Sequence, residues 1–284
     1  MCRFLAYKGH EIFLSDLLTR SEQSLIRQSY HAREREEPLN GDGFGVGWYA
    51  QGQDATPGVF TSIQPAWANR NLHRLADKIQ STSILAHVRA ASPGTPVTEL
   101  NCHPFQHGRF LWMHNGRIAE FRKIRRTLRE HLQDEFYDLI QGTTDSEHVF
   151  ALFLNQLGNR ESHYDVDILR QTMTETISLI ERWLDEAGVS TSSWLNFCIA
   201  DGDRLLATKY VTNASDQPQS LYFTRGDRFE LRDGHYRMMQ RDEHNGAVII
   251  ASEPLTDERG DWEPVPLNHC ISVSPELNID IQPI

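Results

Sequence analysis

The chain has 284 residues, 39% of them hydrophobic and 24% charged, with a formal net charge of −11 and a pI near 5.6. This length is close to the upper size at which one hydrophobic core still grows, so a single unit over residues 1–284 is expected. No run approaches the roughly eighteen consecutive apolar residues of a membrane span, and the acidic balance argues against nucleic-acid binding as the main task.

At the N-terminus, Cys2 to Tyr7 predicts an apolar strand, which implies that the terminus is held inside the structure. It has no apolar h-region followed by a small-residue cleavage site, so the expected location is cytoplasmic. Ser15 is expected to cap a helix opening at Asp16-Leu17-Leu18. Asn40 to Tyr49 reads as a glycine-rich turn entering a strand, with Phe44, Val46 and Trp48 on one face. No helix pattern and no Lys-Ser/Thr follow these glycines, so a nucleotide loop is set aside in favour of close approach by another backbone or a ligand.

Strands are predicted at Ile84 to Arg89 and Phe110 to His114, with turn chemistry at Ser92-Pro93-Gly94-Thr95-Pro96 between them. Helical periodicity covers Ile118 to His131, Asp145 to Leu157 and Asp165 to Ala187, the last closed by Gly188. Arg122-Lys123-Ile124-Arg125-Arg126 and Arg129 read as the wet face of the first of these helices. Strands return at Trp194 to Ala200, Leu205 to Val211, Leu221 to Thr224, Ala247 to Ser252 and Cys270 to Ser274, with a polar loop at Asn213 to Gln219. Strands flanking a helical middle indicate an α+β arrangement.

Cys2 is the sharpest chemical feature. Its small side chain permits removal of Met1, which leaves a thiol beside a free α-amino group. An α-amino group titrates at about 8, so it can take the thiol proton near neutral pH. His114-Asn115-Gly116 ends a strand where Asn115 offers a side-chain amide and Gly116 an unobstructed N–H, a pairing suited to an oxyanion hole. Arg89 and Asp145 suit the α-carboxylate and α-ammonium of a free amino acid. Taken singly, each has a plainer reading: an incidental cysteine, an Asn-Gly turn, a surface ion-pair arginine, an N-capping aspartate.

Together, these motifs resemble the class II glutamine amidotransferases, members of the N-terminal-nucleophile hydrolases. Met1-Cys2, His87-Val88-Arg89, Asn101-Cys102-His103-Pro104, His114-Asn115-Gly116 and Thr144-Asp145 resemble that family's motifs in order, and Ala251-Ser252-Glu253 resembles a C-terminal strand segment. Gly43 to Trp48 is similar to the stand-alone branch that includes γ-glutamyl amide hydrolases. The resemblance implies a four-layer αββα sandwich. It implies Cys2 as nucleophile, Asn115 and Gly116 as oxyanion hole, Arg89 on the glutamine carboxylate and Asp145 on its amine. Ala90-Ala91-Ser92 stand where the family's synthases carry Trp-Ala-Thr, so Ser92 falls in an altered pocket wall, and His103 is expected to line the site.

The expected reaction is attack on the γ-carboxamide of glutamine, releasing ammonia and glutamate, with no cofactor and no metal. Cys102, His103 and His107 lack the second ligand cluster of a zinc site, and Cys198 and Cys270 sit in apolar strands, where cysteine is a small core residue. An alternative is hydrolysis of a γ-glutamyl peptide or thiol conjugate. A separate ammonia-accepting subunit is a further possibility, and a non-catalytic glutamine-binding or scaffolding subunit is the reading of another class.

Overall fold

The computed structural model describes residues 2–34, 39–50, 52, 55–92, 94–158, 164–240 and 246–284. Met1 and Pro93, which enter the sequence reading, lie outside them.

The first half supplies β1 (Arg3–Phe13), α1 (Leu25–Tyr30), β2 (Phe44–Trp48), β3 (Gly58–Ser62), α2 (Arg70–Ala76), β4 (Gln80–Val88), β5 (Phe105–His107) and β6 (Phe110–Arg117). The helical middle holds α3 (Phe121–His131), α4 (Asp134–Leu139), α5 (Asp145–Leu157) and α6 (Val166–Glu186). After it come β7 (Trp194–Ala200), β8 (Leu205–Lys209), β9 (Tyr222–Gly226), β10 (Arg228–Arg232) and β11 (His235–Met239). The chain ends with β12 (Ala247–Ala251), β13 (Glu263–Pro264), β14 (His269–Val273) and β15 (Ile279–Pro283). Among the described residues one sheet runs β13-β9-β12-β1-β4-β2-β3 and a second runs β15-β14-β8-β7-β6-β5, with β10 and β11 paired as a separate hairpin.

Side-chain alternation along the strands turns these sheets into layers. In β1, Phe4 and Ala6 enter a core shared with Leu111, Met113, Cys198 and Ile271 of the second sheet. Leu5 and Tyr7 point the other way, into a core with Leu17, Leu25 and Leu72. A third core joins the far side of the second sheet to α3, α5 and α6. Three cores between four layers make the αββα sandwich, and the strand with two buried faces begins one residue after Cys2.

Helix α5 is buried almost all round, with Val149 to Leu154 each at most 1% exposed. Trp112 of β6 packs on Phe150, Phe153 and Phe197 at centroid distances of 5.6, 5.5 and 4.9 Å. Each such ring pair adds about 0.5–1.5 kcal/mol beyond area burial. That packing fixes the N-terminus of α5, and with it Asp145, against the end of β6.

Several expected boundaries shift for identifiable reasons. β1 continues to Phe13 through a bulge at Lys8–Ile12, pairing with Ser81 and Gln80 of β4. The helix expected at Ser15 is a five-residue π-helical segment, Asp16–Arg20, whose Ser15 makes no capping bond; Asp16 Oδ2 instead accepts the Phe13 N–H at 3.1 Å. Helix α3 opens at Phe121 because Glu120 adopts φ 46°, while the Ile118 and Ala119 N–H groups donate to Asp145 and Ser193. α6 ends as expected, with Gly188 at φ 66°.

Candidate active site

Cys2 sits half-buried on one side of a cleft of about 760 Å³ that also borders Ala90, Ser92, His103, Gly116 and Asp145. Its Sγ accepts the Ala90 N–H at 3.4 Å and lies 3.6 Å from the Ala90 carbonyl. Its carbonyl oxygen accepts Arg3 Nη1 at 2.9 Å.

Arg3 is held in turn by Glu253, Nε to Oε1 at 2.8 Å, with the two side chains only 1% and 2% exposed. Glu253 also accepts the backbone N–H groups of Arg33 and Glu34. Ser252 exchanges two bonds with Phe4: its N–H donates to the Phe4 carbonyl at 2.9 Å, and its Oγ accepts the Phe4 N–H at 3.1 Å. The same Oγ accepts Asn115 Nδ2 at 3.3 Å. One serine thus ties the strand bearing the thiol to the amide expected in the oxyanion hole.

Asn115 is fully buried and, unlike Gly116, does not border the cleft; its Oδ1 has no partner among the described residues, and its Nδ2 donates to Ser252. At Gly116 a Cβ would collide with the Trp194 carbonyl and with His114, so no other residue fits. His114 is locked by Ser146 on Nδ1 and the Trp194 carbonyl on Nε2, both at 2.9 Å. A carbonyl only accepts, so Nε2 carries the proton and Nδ1 accepts from Ser146.

Thr144 caps α5 through Oγ1, which accepts the Glu147 N–H at 3.2 Å. Asp145 follows in the first turn, where the helix dipole favours its charge. Its carboxylate accepts the Ile118 N–H at 2.7 Å and the Ser146 N–H at 2.8 Å. Asn101, fully buried, bonds the Pro96 carbonyl and both Thr143 N and Oγ1, stapling the two loops that frame the cleft. Arg89 does not border the cleft. It is 3% exposed, with its guanidinium donating to the Asp42 and Pro96 carbonyls at 3.4 and 3.2 Å.

The glycine run works by close approach: a Cβ on Gly45 would strike the His103 carbonyl oxygen, so β2 passes directly beneath that residue. Cys102, Cys198 and Cys270 are buried, and burial raises their thiols, Cys102 to about 11 and Cys270 to about 12. The basic stretch of α3 is more than a wet face, since Arg122, Lys123 and Arg125 form one side of the cleft together with Arg117. Lys123 is paired with Glu120 at 2.7 Å. Arg117, Arg122 and Arg125 have no carboxylate at ion-pair distance among the described residues, and Arg117 lies over the Trp194 ring at 5.1 Å.

Chain-distant pairings were beyond sequence reasoning: Arg3 with Glu253, Ser252 with Asn115, Asn101 with Thr143. The available signal was a charged residue, Arg3, inside an apolar strand, which demands a buried acid elsewhere.

Across residues 16–273 the chain matches the family of glutamine amidotransferases class-II. The chain belongs to the class II glutamine amidotransferases. It is 42% identical to "Probable glutamine amidotransferase DUG3" of Saccharomyces cerevisiae, over 96% of this chain and 82% of that one. It is 28% identical to the "Gamma-glutamyl-hercynylcysteine sulfoxide hydrolase" of Mycobacterium tuberculosis, over 96% and 93% of the two chains. Among solved structures, a glutamine aminotransferase class-II domain protein from Silicibacter pomeroyi superposes with a TM-score of 0.67 at 22% identity, covering 100% and 99% of the two chains. The glutamine phosphoribosylpyrophosphate amidotransferase of B. subtilis superposes at 0.60 and 14% identity, this chain spanning 49% of that one. The fold is that of the N-terminal-nucleophile hydrolases, and this amidotransferase is an enzyme with amidohydrolase chemistry. No helix among the described residues is long and apolar enough to cross a membrane.

Buried histidines give this amidotransferase a pH signature. Burial lowers His87 to about 3 and His148 to about 4. The unfolded chain protonates both near pH 6.5, whereas the folded chain holds them neutral until far lower. The unfolded state therefore binds more protons in that window, and stability is lost as pH falls, by about 1.4 kcal/mol per pH unit for each group. The melting temperature should be flat above about pH 7 and fall steeply from about pH 6.5 to 4, with a shallower slope in His148→Gln. A profile flat to pH 4.5 would contradict this assignment.

Proposed function

We propose that the chain, acting as one unit in the cytosol where its unpaired cysteines stay reduced, hydrolyses γ-carboxamides through Cys2. With Met1 removed, the Cys2 α-amine takes the thiol proton and Sγ attacks the γ-carbonyl. The oxyanion is received by Asn115 Nδ2 and the Gly116 N–H. The intermediate collapses to a γ-glutamyl thioester as the leaving amine takes a proton from the α-ammonium, and water then releases glutamate. Asp145, with both oxygens oriented by backbone N–H groups, receives the substrate α-ammonium. Arg89 supplies positive charge for the α-carboxylate and has N–H donors to spare, while Ser92 and His103 complete the walls.

The observation that carries this reading is the Ser252 hydroxyl, which joins the strand of Cys2 to Asn115. Asn115→Ala should lower kcat by about 10²–10³, the usual cost of losing one oxyanion donor, with KM little changed. A loss confined to KM counts against it.

A second reading concerns the leaving group. Arg117, Arg122 and Arg125, without an ion-pair carboxylate among the described residues in a chain of net charge −11, favour a substrate with a further carboxylate beyond the glutamyl group. The hydrolysis of γ-glutamyl peptides fits that better than ammonia donation to a separate subunit. The test is glutamate release by Met1-processed protein from glutamine, γ-glutamyl amino acids and their C-terminal amides, with Cys2→Ala as control. Preference for the free-acid leaving group, lost in Arg122→Gln/Arg125→Gln, supports the peptide reading; preference for glutamine supports ammonia donation.

A further inference from the structure

The run Asn40-Gly41-Asp42-Gly43 leads into β2 beside the end of β4 and takes no part in the chemistry proposed above. β2 and β4 pair from Trp48 and Ile84 to Phe44 and Val88, and the ladder continues one step further, the Arg89 N–H donating to the Gly43 carbonyl at 2.8 Å. The return bond to the Arg89 carbonyl comes from the Asp42 N–H, at 3.1 Å, so Asp42 and Gly43 together oppose Arg89. Two residues against one make a β-bulge, which re-aims the side chain it carries. Gly43 permits it: its φ is 114°, and a Cβ there would lie 2.8 Å from both the Cys102 Sγ and the Ser62 carbonyl oxygen.

Re-aimed in this way, Asp42 reaches round the end of β4, and its Oδ2 accepts the Ala91 N–H at 2.8 Å. Two peptide groups now lie between Asp42 and Cys2. The Arg89–Ala90 peptide receives the Asp42 N–H on its carbonyl and donates its own N–H to Cys2 Sγ at 3.4 Å. The Ala90–Ala91 peptide donates its N–H to the Asp42 carboxylate and turns its carbonyl to Sγ at 3.6 Å. In a planar trans peptide the N–H and C=O point in opposite directions, so fixing one end fixes the other. Asp42 thus orients both groups that touch the sulfur. As a thiol, Sγ donates to the Ala90 carbonyl; once the proton has left, the Ala90 N–H holds the charge, and a bond to an ionised acceptor is the stronger kind. Cys2 and Ala90 border the cleft, whereas Asp42 stands behind it.

We propose that Asp42 is a positioning residue for the nucleophile, holding the two peptide groups that aim Cys2 Sγ at the substrate carbonyl. This rests on Cys2 being the nucleophile. Asp42 exchanges no proton and touches no substrate; it sets the direction of attack, and a misplacement of about 1 Å can cost about 10²-fold.

The experiment compares two reagents on Met1-processed protein. A diazoketone analogue of glutamine reacts according to how Sγ is aimed at the bound analogue; iodoacetamide meets the thiol from any direction. Asp42→Ala should slow the first about 10–100-fold at saturation, with the half-saturating concentration little changed, and kcat for glutamate release should fall with it at near-constant KM. Alkylation of Cys2 by iodoacetamide, located by peptide mapping, should change little. Asp42→Asn, which keeps an oxygen acceptor for the Ala91 N–H, should retain most of the directed rate. A change of equal size with both reagents, an equal loss in Asp42→Asn, or a wild-type rate in Asp42→Ala overturns the proposal. Wild-type protein decides independently of whether the variants fold: with isotopically labelled alanine, the Ala91 amide should exchange slowly with solvent, and exchange at the rate of an open loop overturns the proposal. Absence of Cys2-dependent turnover in the wild type, with the Ala91 amide protected, overturns the nucleophile assignment and the proposal with it.

Discussion

Replacing Cys2 by alanine is expected to abolish glutamate release, by at least about 10⁴-fold on the scale of nucleophile deletions in other covalent hydrolases, while glutamine binding is largely kept. The thiol is one small side chain at the edge of the cleft, whereas Asp145, the proposed partner of the substrate ammonium, and Arg89, proposed to act on the carboxylate from behind the cleft wall, are anchored independently, by α5 packing and by loop carbonyls. Loss of chemistry with retention of affinity is the signature of a group that acts in bond making rather than in ground-state binding. Cys102→Ala, Cys198→Ala and Cys270→Ala should keep turnover, since burial raises all three of those thiols and favours their protonated form. The check is a coupled glutamate assay beside calorimetric titration with glutamine. A scaffolding or sensing subunit would instead tolerate the Cys2 substitution without functional loss.

Glu253→Ala should be the most destabilising single change near the site. Removing one partner of a buried ion pair leaves the other charge uncompensated, which costs about 3–5 kcal/mol, against a total stability of about 5–15 kcal/mol. For a chain of this size that is a fall in Tm of about 10 °C. The Arg33 and Glu34 N–H groups lose their acceptor at the same time. Activity should fall as well, because Arg3 fixes the Cys2 carbonyl. The double variant Arg3→Met/Glu253→Leu separates the two effects: apolar replacement of both partners should recover much of the stability, yet leave the thiol poorly placed and kcat low. Thermal melts and kcat on the same samples decide, and full activity in the double variant would show that the ion pair is structural only.

The sequence is most legible where one physical signal dominates. α5 and α6 follow from long apolar periodicity, and Gly188 closes α6 as expected; the N-cap of α5 is Thr144 rather than Asp145, and Asp165, where the second helix was expected to begin, caps α6. β7 and β12 are short apolar runs that the structure buries on both faces. The αββα layering came with the family resemblance, and the three cores account for it. β3 and the hairpin of β10 and β11 escaped because half-exposed strands carry Thr, Arg, Glu and His rather than an apolar signal.

Within the site, local motifs located Cys2, His103, Gly116 and Asp145 on one cleft. What the sequence could not convey is which charges are buried. Arg89 is withdrawn behind the cleft wall on carbonyl partners, while exposed arginines of α3 turn toward the cleft. Both outcomes depend on tertiary neighbours, Pro96 and Asp42 in one case and the β6 end in the other.

Attack of Cys2 on a γ-glutamyl carbonyl is tested by covalent trapping: Met1-processed protein incubated with a glutamine analogue bearing a diazoketone in place of the amide, then peptide mapping. One adduct per chain is expected, on the N-terminal peptide at Cys2, prevented by excess glutamine. An adduct on Cys102, Cys198 or Cys270, or no adduct on correctly processed protein, would contradict it.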